Sequence, residues 1–384
     1  MYVANLRLPT EKAYGIQIAK MCEAFVGCDA NIQIHTNDTN KAVEVELIAP
    51  YRKNKMKSDF FDYYSVKRNF KFKRIWAPDF YFPGRFDRIS FYVKSFISAV
   101  FLSIYTLFKK SDFIYSRDEL PLFLLSFFRK NLIFEAHHFS NSRRLFYRRF
   151  KDRNLKVIVI TKHLKDDFIK IGFRPENILV VPDGVDLEKF DIDISKEEAR
   201  GKVNLLLDAK IAMYTGHLFD WKGVSTLLEA AHQCRDVLFV FVGGMPADIE
   251  KFKKKTKLLG LDNVFILGHR LHRDIPLFLK AADVLLLPNS SKEEISRFHT
   301  SPLKLFEYMA SKRLIIASNL PSLREILDED VSVFAVSDDS NSWVDKIESV
   351  LADVNLRESL SSRAFERVKD YTWAKRAEKI IEFL

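Results

Sequence analysis

The second half of the chain alternates short, uninterrupted apolar runs with segments of helical periodicity. Glycine, proline or a small polar residue closes each run. The runs are residues 211–216, 237–243, 264–268, 284–288 and 314–318. An uninterrupted apolar run is typical of a strand that is buried on both faces, and alternation of such strands with helices indicates a parallel sheet. The pattern therefore predicts an α/β domain with helices on both faces of its sheet.

The first half repeats this pattern less regularly. Its strand-like runs are residues 2–6, 31–35, 43–48, 112–116, 132–135, 157–160 and 178–181. A chain of 384 residues exceeds what one ordinary core holds, and Asp183-Gly184 marks a turn between the halves. We therefore predict two Rossmann-like α/β domains, residues 1–185 and 186–369, which face each other across a cleft where ligands bind.

Residues 90–108 form the longest apolar segment and approach the length of a membrane span. Lys94 interrupts the segment, and a charge inside a span is costly. A strand-like run follows directly at residues 112–116. These features predict a helix that packs on a sheet.

The charge of the chain is unevenly placed. Residues 1–180 hold 32 Lys and Arg against 18 Asp and Glu, although the net charge of the whole chain is only +10. The first half is therefore expected to face an anionic partner, which leaves a membrane surface, a nucleic acid or a phosphorylated acceptor open. Three scattered cysteines form no disulfide framework or metal spacing, and no basic region precedes the first apolar run, so we expect a reducing, cytoplasmic location.

Two loops of the second half contain candidate anion-binding groups. The sequence TGHLFDWKG follows a strand and opens a helix, so Gly216 and the helix start offer backbone N–H groups, and Lys222 offers a charge, to a diphosphate. In SPLKLFE, Ser301 and Lys304 suit a phosphate, and Glu307 lies one helical turn after Lys304 and suits ribose hydroxyls. The alternatives are an ordinary helix start and a weak Lys304–Glu307 surface pair.

The first half offers fewer candidates. His137 follows a predicted strand and suits a sugar hydroxyl or a proton transfer, and Gly15 lies between the first strand and the first helix, where a ligand can approach the backbone. No dinucleotide fingerprint, Walker motif or nucleophile elbow occurs. We predict no metal site, since Asp191-Ile-Asp193 lies in a poorly periodic segment and reads as solvated.

A basic and aromatic cluster is a candidate acceptor or membrane surface. Its residues are Arg143, Arg144, Arg148, Arg149, Lys151 and Arg153, with Phe146, Tyr147 and Phe150. Such a composition on one helix suits an anionic membrane or a lipid diphosphate.

These motifs together resemble the retaining glycosyltransferases of family 4, within the glycosyl transferases group 1. The resemblance spans nearly the whole chain and rests on PTEKAYGIQ, FEAHH, ITKHL, VPDGVDLEKF, YTGHLFDWKG, AADVLLLP, SPLKLFEYMASKRLIIAS and YTWAKRAEKIIEFL. It implies a GT-B fold of two facing Rossmann-like domains. It also implies that a C-terminal helix, about residues 370–384, packs back on the first domain.

The resemblance assigns roles to matching positions. It implies that Glu307 binds the donor ribose, Lys222 grips the donor diphosphate, Gly15 lies near that diphosphate, and His137 lies near the donor sugar. It makes His137, Lys222 and Glu307 the catalytic set. The implied donor-binding set is Gly15, Gly216, His217, Lys222, His299, Thr300, Ser301, Leu303, Lys304 and Glu307.

Two positions depart from the family pattern. His299 stands eight residues before Glu307, where the family has a first Glu that contacts the transferred sugar, and His217 stands where an Arg is often found. We therefore expect the nucleotide half of the site to follow the family more closely than the sugar half.

The implied activity is metal-independent transfer of a hexose, with retention, from a nucleotide-diphosphate sugar such as a UDP- or GDP-sugar. The expected acceptor is a glycan or a polyprenyl-diphosphate-linked glycan of a cell-surface polysaccharide, reached from the cytoplasmic face of the membrane. No cofactor and no nucleic acid are expected. The alternatives are an epimerase-like enzyme of the same architecture, a non-catalytic homologue and a basic nucleic-acid-binding protein.

Overall fold

The computed structural model describes residues 1–28, 43–53, 58–80 and 87–384, and these residues divide into two compact units. Unit 1 comprises Met1–Pro182 and Trp373–Leu384, and unit 2 comprises Asp183–Thr372. The sequence-based boundary at residue 185 therefore lies three residues from the structural one. The last helix belongs to unit 1, where the resemblance places it.

Unit 1 is a parallel sheet with helices between its strands. Its strands are β1 (Tyr2–Val3), β2 (Glu46–Pro50), β3 (Lys71–Ile75), β4 (Ile114–Ser116), β5 (Leu132–Ala136), β6 (Lys156–Val159) and β7 (Ile178–Val180). Its helices are α1 (Ala13–Gly27), α2 (Phe60–Tyr64), α3 (Asp87–Leu107), α4 (Glu119–Leu125), α5 (Arg144–Asp152), α6 (Lys162–Lys170) and the C-terminal α17 (Trp373–Phe383). The strand order is β3-β2-β1-β4-β5-β6-β7.

Unit 2 repeats the architecture. Its strands are β8 (Lys210–Thr215), β9 (Val237–Val242), β10 (Val264–Gly268), β11 (Val284–Leu287), β12 (Leu314–Ser318) and β13 (Val333–Ala335). Its helices are α7 (Leu187–Phe190), α8 (Lys196–Lys202), α9 (Val224–Gln233), α10 (Pro246–Leu258), α11 (Ile275–Ala281), α12 (Glu294–Phe298), α13 (Leu303–Ala310), α14 (Pro321–Arg324), α15 (Ser340–Ala352) and α16 (Val354–Val368). The strand order is β10-β9-β8-β11-β12-β13, and each of these pairings is parallel.

The uninterrupted apolar runs of the second half are strands, as predicted, because helices cover both faces of the sheet. Strands β9, β11 and β12 are buried at every position. In unit 1, strands also form at or within the other predicted runs, while residues 31–35 lie outside the described residues. Strands β3 and β13 were not predicted. Both are edge strands, and β3 (KFKRI) has three basic residues among its five instead of a continuous apolar run.

Helix α3 packs on unit 1, as expected for the apolar segment 90–108. It contacts α4 and strands β2 and β3. By length and composition it is also the one helix of the described residues that could cross a membrane, a test that the core helix of a soluble protein passes as well. About a third of its most apolar window is buried.

Candidate functional site

The loops that follow β8 and β9 meet backbone to backbone at the carboxyl edge of the unit 2 sheet. The Gly216 N–H donates to the Val242 carbonyl, and Gly216 has a φ of 128°. A Cβ on Gly243 would lie 2.3 Å from the Gly216 carbonyl oxygen. Glycine is required at both positions because only glycine tolerates this φ and this approach.

Gly223 fixes the position of Lys222. Its φ is 71°, and a Cβ there would lie 1.7 Å from the carbonyl oxygen of Pro288, after β11. The short 3₁₀ helix Asp220–Lys222 ends at this glycine, and α9 begins directly after it. The glycine therefore anchors the TGHLFDWKG loop to the neighbouring strand β11.

Lys304 and Glu307 lie on α13 and are both buried, with exposed fractions of 9% and 8%. The predicted alternative of a surface pair between them is wrong, because each has another partner. The Lys304 ammonium donates to the Thr215 carbonyl at 3.1 Å and lies 3.7 Å from the centroid of the Tyr214 ring. Helix α13 is fastened to β8 a second time, since the Thr215 N–H donates to the Tyr308 hydroxyl at 2.8 Å.

Lys222 and Lys304 lie close enough to repel each other, and the charge of Glu307 offsets the cost to Lys304 only in part. The Lys222 ammonium lies 3.8 Å from the centroid of the Trp221 ring, and desolvation lowers its pKa to about 7. Burial, and then repulsion by Lys222, holds the pKa of Lys304 well below its usual range. Within the described part of the chain, neither ammonium forms an ion pair with a carboxylate. Such a pair favours an anionic ligand, which would restore both charges.

His217 adds a third basic group to this pair. Burial, and then the charge of Lys222, lowers the pKa of His217. Its ring stacks on Phe219 with a centroid distance of 4.9 Å. In the described residues its buried Nδ1 has no hydrogen-bond partner. The histidine at the position of the family's arginine thus keeps a polar atom available to a ligand.

Glu307 is oriented by a histidine that the sequence did not indicate. The Nε2 of His272 lies 2.7 Å from Glu307 Oε1. His272 begins the 3₁₀ helix His272–Asp274, before α11, and is 35 positions from Glu307. No spacing rule links two residues so far apart, so only the fold brings them together. This hydrogen bond uses one carboxylate oxygen.

The segment from His299 to Leu303 connects α12 to α13. His299, Thr300 and Ser301 are buried, and Leu303 is partly exposed. The His299 N–H donates to the Ile295 carbonyl and so ends α12. The Ser301 hydroxyl accepts the Asp183 N–H at 3.1 Å. The two sequence motifs VPDGVD and SPLKLFE are therefore joined by this hydrogen bond.

The carboxyl edge of the unit 1 sheet holds a buried carboxylate, Glu135, at the end of β5. Its Oε1 accepts hydrogen bonds from Gln17 Nε2 at 2.8 Å and Arg376 Nη2 at 2.6 Å, and it lies 2.8 Å from His137 Nε2. Burial alone would raise the pKa of Glu135, but Arg376, and then His137 and Arg117, hold it well below its usual range. The predicted sugar contact His137 is thus held in place by a fully buried carboxylate.

Gly15 lies in the first turn of α1, and its small size has a packing reason. A Cβ there would lie 2.1 Å from the Tyr64 hydroxyl. That hydroxyl accepts the Thr10 N–H at 2.7 Å and donates to the Thr10 carbonyl at 3.0 Å. Tyr64 occupies the space beside Gly15 that the sequence interpretation assigned to a ligand, and the diphosphate role of Gly15 stays a prediction.

The basic helix α5 does not present its aromatic residues to solvent. Tyr147 and Phe150 are fully buried, and Phe146 packs against the same core. Arg143 pairs with Glu119, and Arg149 donates to the hydroxyl and carbonyl of Ser126. The expected surface of combined basic and aromatic side chains is therefore not formed. The acceptor role of Arg143, Arg144, Arg148 and Arg149 stays a prediction.

Comparison with known families supports the reading of unit 2. Residues 195–367 match the model of the family described as glycosyl transferases group 1. A D-inositol 3-phosphate glycosyltransferase of Corynebacterium diphtheriae is 25% identical over 255 residues, covering 63% of this chain and 58% of that protein. An Escherichia coli UDP-Gal:alpha-D-GlcNAc-diphosphoundecaprenol alpha-1,3-galactosyltransferase is 28% identical over 215 residues, covering 54% and 53%. The chain thus spans somewhat over half the length of these curated relatives.

The fold is that of GT-B glycosyltransferases. The crystal structure of HepE from Anabaena in complex with UDP-glucose superposes with a TM-score of 0.75 at 15% identity, covering 99% of this chain and 97% of that one. At this identity the likeness establishes the fold alone. The predicted α/β class with two Rossmann-like units is confirmed.

Proposed function

We propose that this chain transfers a hexose from a nucleotide-diphosphate sugar to a glycan or lipid-linked acceptor, a proposal supported by the match of residues 195–367 to the model of the glycosyl transferases group 1. The observation that carries the proposal is the pair of lysines, Lys222 and Lys304, with the neighbouring His217, at the carboxyl edge of the unit 2 sheet. Ligands of open α/β sheets bind at this edge. Two desolvated ammonium groups without a carboxylate partner suit a diphosphate.

In the proposed reaction, the acceptor hydroxyl oxygen forms a bond to the anomeric carbon of the donor. The bond from that carbon to the diphosphate oxygen breaks, and the acceptor proton passes to the departing diphosphate. Lys222 and Lys304 stabilise the charge that develops on the diphosphate, because they are held in place by Trp221 and Tyr214 before the reaction begins. With these fixed charges the reaction needs no metal ion.

Glu307 is proposed to bind the ribose of the donor. His272 holds one oxygen of its carboxylate, which leaves the other oxygen to accept hydrogen bonds from ribose hydroxyls. His299 and His137 are proposed to contact the transferred sugar, with retention of its anomeric configuration as in family 4. A UDP-sugar is the first donor to test, since HepE was crystallised with UDP-glucose.

The acceptor is proposed to be a growing surface polysaccharide, attached to a polyprenyl diphosphate in the membrane. The Escherichia coli relative is named for a diphosphoundecaprenol-linked acceptor, and another relative, from Bacillus subtilis, is a putative teichuronic acid biosynthesis glycosyltransferase. A membrane-bound acceptor would bring the protein to the cytoplasmic face of the membrane as a peripheral enzyme.

The test combines donor screening with two site variants. Purified protein is incubated with UDP- and GDP-sugars and a short polyprenyl-diphosphate-linked glycan, and the released nucleotide and the extended lipid are measured by mass spectrometry. We expect Lys222→Ala and Glu307→Ala each to lower transfer on the order of 10²-fold or more at an unchanged melting temperature. The matched control is Lys254→Ala, at an exposed lysine of α10.

The outcomes separate the alternatives. Extended lipid together with released nucleoside diphosphate supports the proposal, and full transfer by either site variant would overturn the site assignment. Release of an altered nucleotide sugar without any extended acceptor would instead favour the epimerase-like enzyme. Failure of the parent to turn over any donor would favour a non-catalytic homologue.

A further inference from the structure

Helix α3 of unit 1 exposes apolar side chains and buries small and polar ones. Its buried residues are mostly small or polar, and about half of its large apolar residues are exposed. The buried residues are Ser90, Ser98, Ala99, Leu102, Ser103 and Thr106. The exposed ones are Ile89, Phe91, Tyr92, Val93, Phe96 and Ile104, and Phe108 directly after the helix is 88% exposed. A helix of a soluble domain normally has the opposite arrangement.

The exposed side chains form one continuous stripe. Ile89, Val93, Phe96, Ile104 and Phe108 recur at the spacing of a single helix face, with the partly buried Val100 between them. At about 1.5 Å per residue the stripe is about 28 Å long. Contiguous exposed apolar surface of this size marks an interaction site.

Neighbouring elements widen the stripe. Trp76, after β3, is exposed and lies edge-on to Phe101 of α3 at a centroid distance of 5.5 Å. At the other end, Arg129 donates to the carbonyls of Thr106 and Leu107 at 3.3 and 3.0 Å. This contact sets the exposed Phe127 and Phe128 beside the end of α3. We call the stripe, together with Trp76, Tyr92, Phe127 and Phe128, the α3 face.

Positive charges surround the α3 face. Arg88, Lys109, Lys110 and Lys130 lie at the two ends of α3, and Lys71, Lys73 and Arg74 lie on the adjacent edge strand β3; all of these side chains are at least partly exposed. The ammonium groups of Lys73 and Lys109 lie 4.8 and 5.5 Å from the Tyr105 ring of α3. The acidic residues next to the helix ends are Asp87 and Asp112.

We propose that the α3 face docks unit 1 on the surface of an anionic phospholipid bilayer. Helix α3 would lie in the plane of the membrane, with its aromatic side chains at the level of the headgroups and the surrounding lysines on lipid phosphates. Interfacial helices combine an exposed apolar face with basic residues in this way. Trp76 and Tyr92 are residue types that are enriched at membrane interfaces.

Charge disfavours a second copy of the chain as the occupant. In a two-fold dimer the same patch contacts itself, so the basic residues around one α3 face would oppose those of the other. An anionic bilayer instead neutralises them. The surrounding charge therefore complements lipid phosphates and repels an identical face.

Contacts of the buried side of α3 disfavour a membrane span. Ser98 accepts a hydrogen bond from Arg52 Nη2 at 2.7 Å and donates to Asn5 Oδ1 at 2.7 Å. Asn5 also donates to the Ser95 carbonyl at 2.9 Å. A helix that crossed the bilayer would lose these hydrogen bonds, whereas a helix that lies on the surface keeps them.

The α3 face would hold the protein at the membrane surface, which is the location proposed above. The inference therefore rests on the proposed function. Asn5 follows β1, so its bonds to α3 place the first half of the helix beside the carboxyl edge of the unit 1 sheet. A lipid-linked acceptor would therefore arrive at the same edge as His137. Vesicle binding needs no sugar substrate, so this proposal and the transferase proposal can fail separately.

The first test removes apolar surface. The parent, the double variant Tyr92→Asn/Phe96→Asn and the control Leu206→Asn/Leu258→Asn are sedimented with vesicles of phosphatidylcholine and phosphatidylglycerol. Leu206 and Leu258 are exposed residues of unit 2, so the control removes comparable exposed apolar surface. We expect the double variant to lose about tenfold or more in vesicle affinity, and the control to bind as the parent does.

The second test removes charge. Lys109→Gln/Lys110→Gln is compared with Lys254→Gln/Lys257→Gln, which changes two exposed lysines of α10. We expect the first pair to weaken binding several-fold at low salt, by an amount that shrinks at high salt because charge attraction is screened. The second pair should bind as the parent does. Vesicles of phosphatidylcholine alone should bind the parent more weakly than the anionic vesicles do.

Four results would overturn the proposal. They are failure of the parent to bind anionic vesicles, unchanged binding by Tyr92→Asn/Phe96→Asn, resistance of the bound protein to alkaline carbonate extraction, and a parent dimer in light scattering that this variant dissociates. Carbonate resistance would indicate a span, and the dissociating dimer would make a second copy the occupant.

Discussion

The two sheets of this protein carry buried charge at the same position, the carboxyl edge, but they balance it differently. In unit 1, the buried carboxylate of Glu135 receives Arg376 at 2.6 Å and lies 2.8 Å from His137. In unit 2, no carboxylate of the described residues pairs with the ammonium groups of Lys222 and Lys304. The unit 1 charge is neutralised within the fold, whereas the unit 2 ammonium groups have no ion-pair partner among the described residues, as expected if they bind an anionic ligand.

This difference separates a structural network from a binding site. Removing one partner of a neutralised buried pair leaves an uncompensated charge and destabilises the fold. Removing a cation that has no ion-pair partner relieves repulsion and desolvation instead, so we expect the fold to keep its stability while ligand affinity falls. The comparison therefore predicts opposite effects on stability for two similar substitutions: Arg376→Met should destabilise unit 1, and Lys304→Met should leave the stability of unit 2 level or raise it.

The largest effect is expected for Arg376→Met. The substitution leaves Glu135 buried with a negative charge that His137 and Arg117 offset in part, and it removes the hydrogen bond from α17 to β5. We expect a loss of about 3–5 kcal/mol in the stability of unit 1. Hydrogen exchange with mass spectrometry would measure this loss in peptides of β5 and α17. Unchanged protection of those peptides would show that the network does not stabilise unit 1.

An intermediate effect is expected for Lys304→Met, the matched change in unit 2. The stability of unit 2 should stay level or rise, because the buried ammonium has lost its desolvation cost. Nucleoside diphosphate affinity should fall by about tenfold to a hundredfold, the range expected from losing a charged hydrogen-bond donor. Thermal unfolding and titration calorimetry with UDP and GDP would measure the two quantities. A destabilised Lys304→Met variant would contradict the contrast between the units.

The smallest effect concerns pH. Desolvation lowers the pKa of Lys222 to about 7, and a bound diphosphate would raise it, so binding should take up a proton. Affinity should therefore fall as pH rises above about 7, by at most about tenfold per pH unit. In the free protein the sign is opposite: the unfolded chain holds this proton more tightly, so stability rises with pH between about 7 and the pKa of the unfolded lysine.

Titration calorimetry between pH 6 and 9, in buffers of different ionisation enthalpy, would measure the proton uptake. Lys222→Arg is the matched control, because a guanidinium keeps its charge throughout this range. Its affinity should vary less with pH than that of the parent. Equal pH profiles for the two proteins would assign the titration to another group.

Much of the fold could be predicted from the sequence, and the two strands that were not predicted, β3 and β13, both lie at the edge of a sheet. Strands that are buried on both faces read as uninterrupted apolar runs, so the inner strands of both sheets were recognisable. The two missed strands, β3 and β13, are edge strands with a neighbour on one side only, although the edge strands β7 and β10 were recognised from their apolar runs. The sequence of β3, KFKRI, is mostly basic, and β13 is three residues long.

Part of the candidate site could also be predicted from the sequence, and part could not. Lys222, Lys304 and Glu307 were identified from local motifs, because a loop between a strand and a helix keeps its own residues together. Pairs of residues that are distant in sequence were not identified: Arg376 lies 241 positions from Glu135, and His272 lies 35 positions from Glu307. Local spacing carries no information about such pairs.

The sequence by itself determined the α/β class, the positions of the inner strands and the two loops that carry the candidate anion-binding groups. Only the tertiary structure decided which charges are neutralised and which side of a helix is exposed. In the structure the aromatic residues Tyr147 and Phe150 of α5 are buried, and Phe91, Tyr92 and Phe96 of α3 are exposed. The composition of the two helices predicted an exposed aromatic face on α5 and a packed helix at α3. Periodicity shows that a helix has two faces, but the neighbouring elements determine which face is covered.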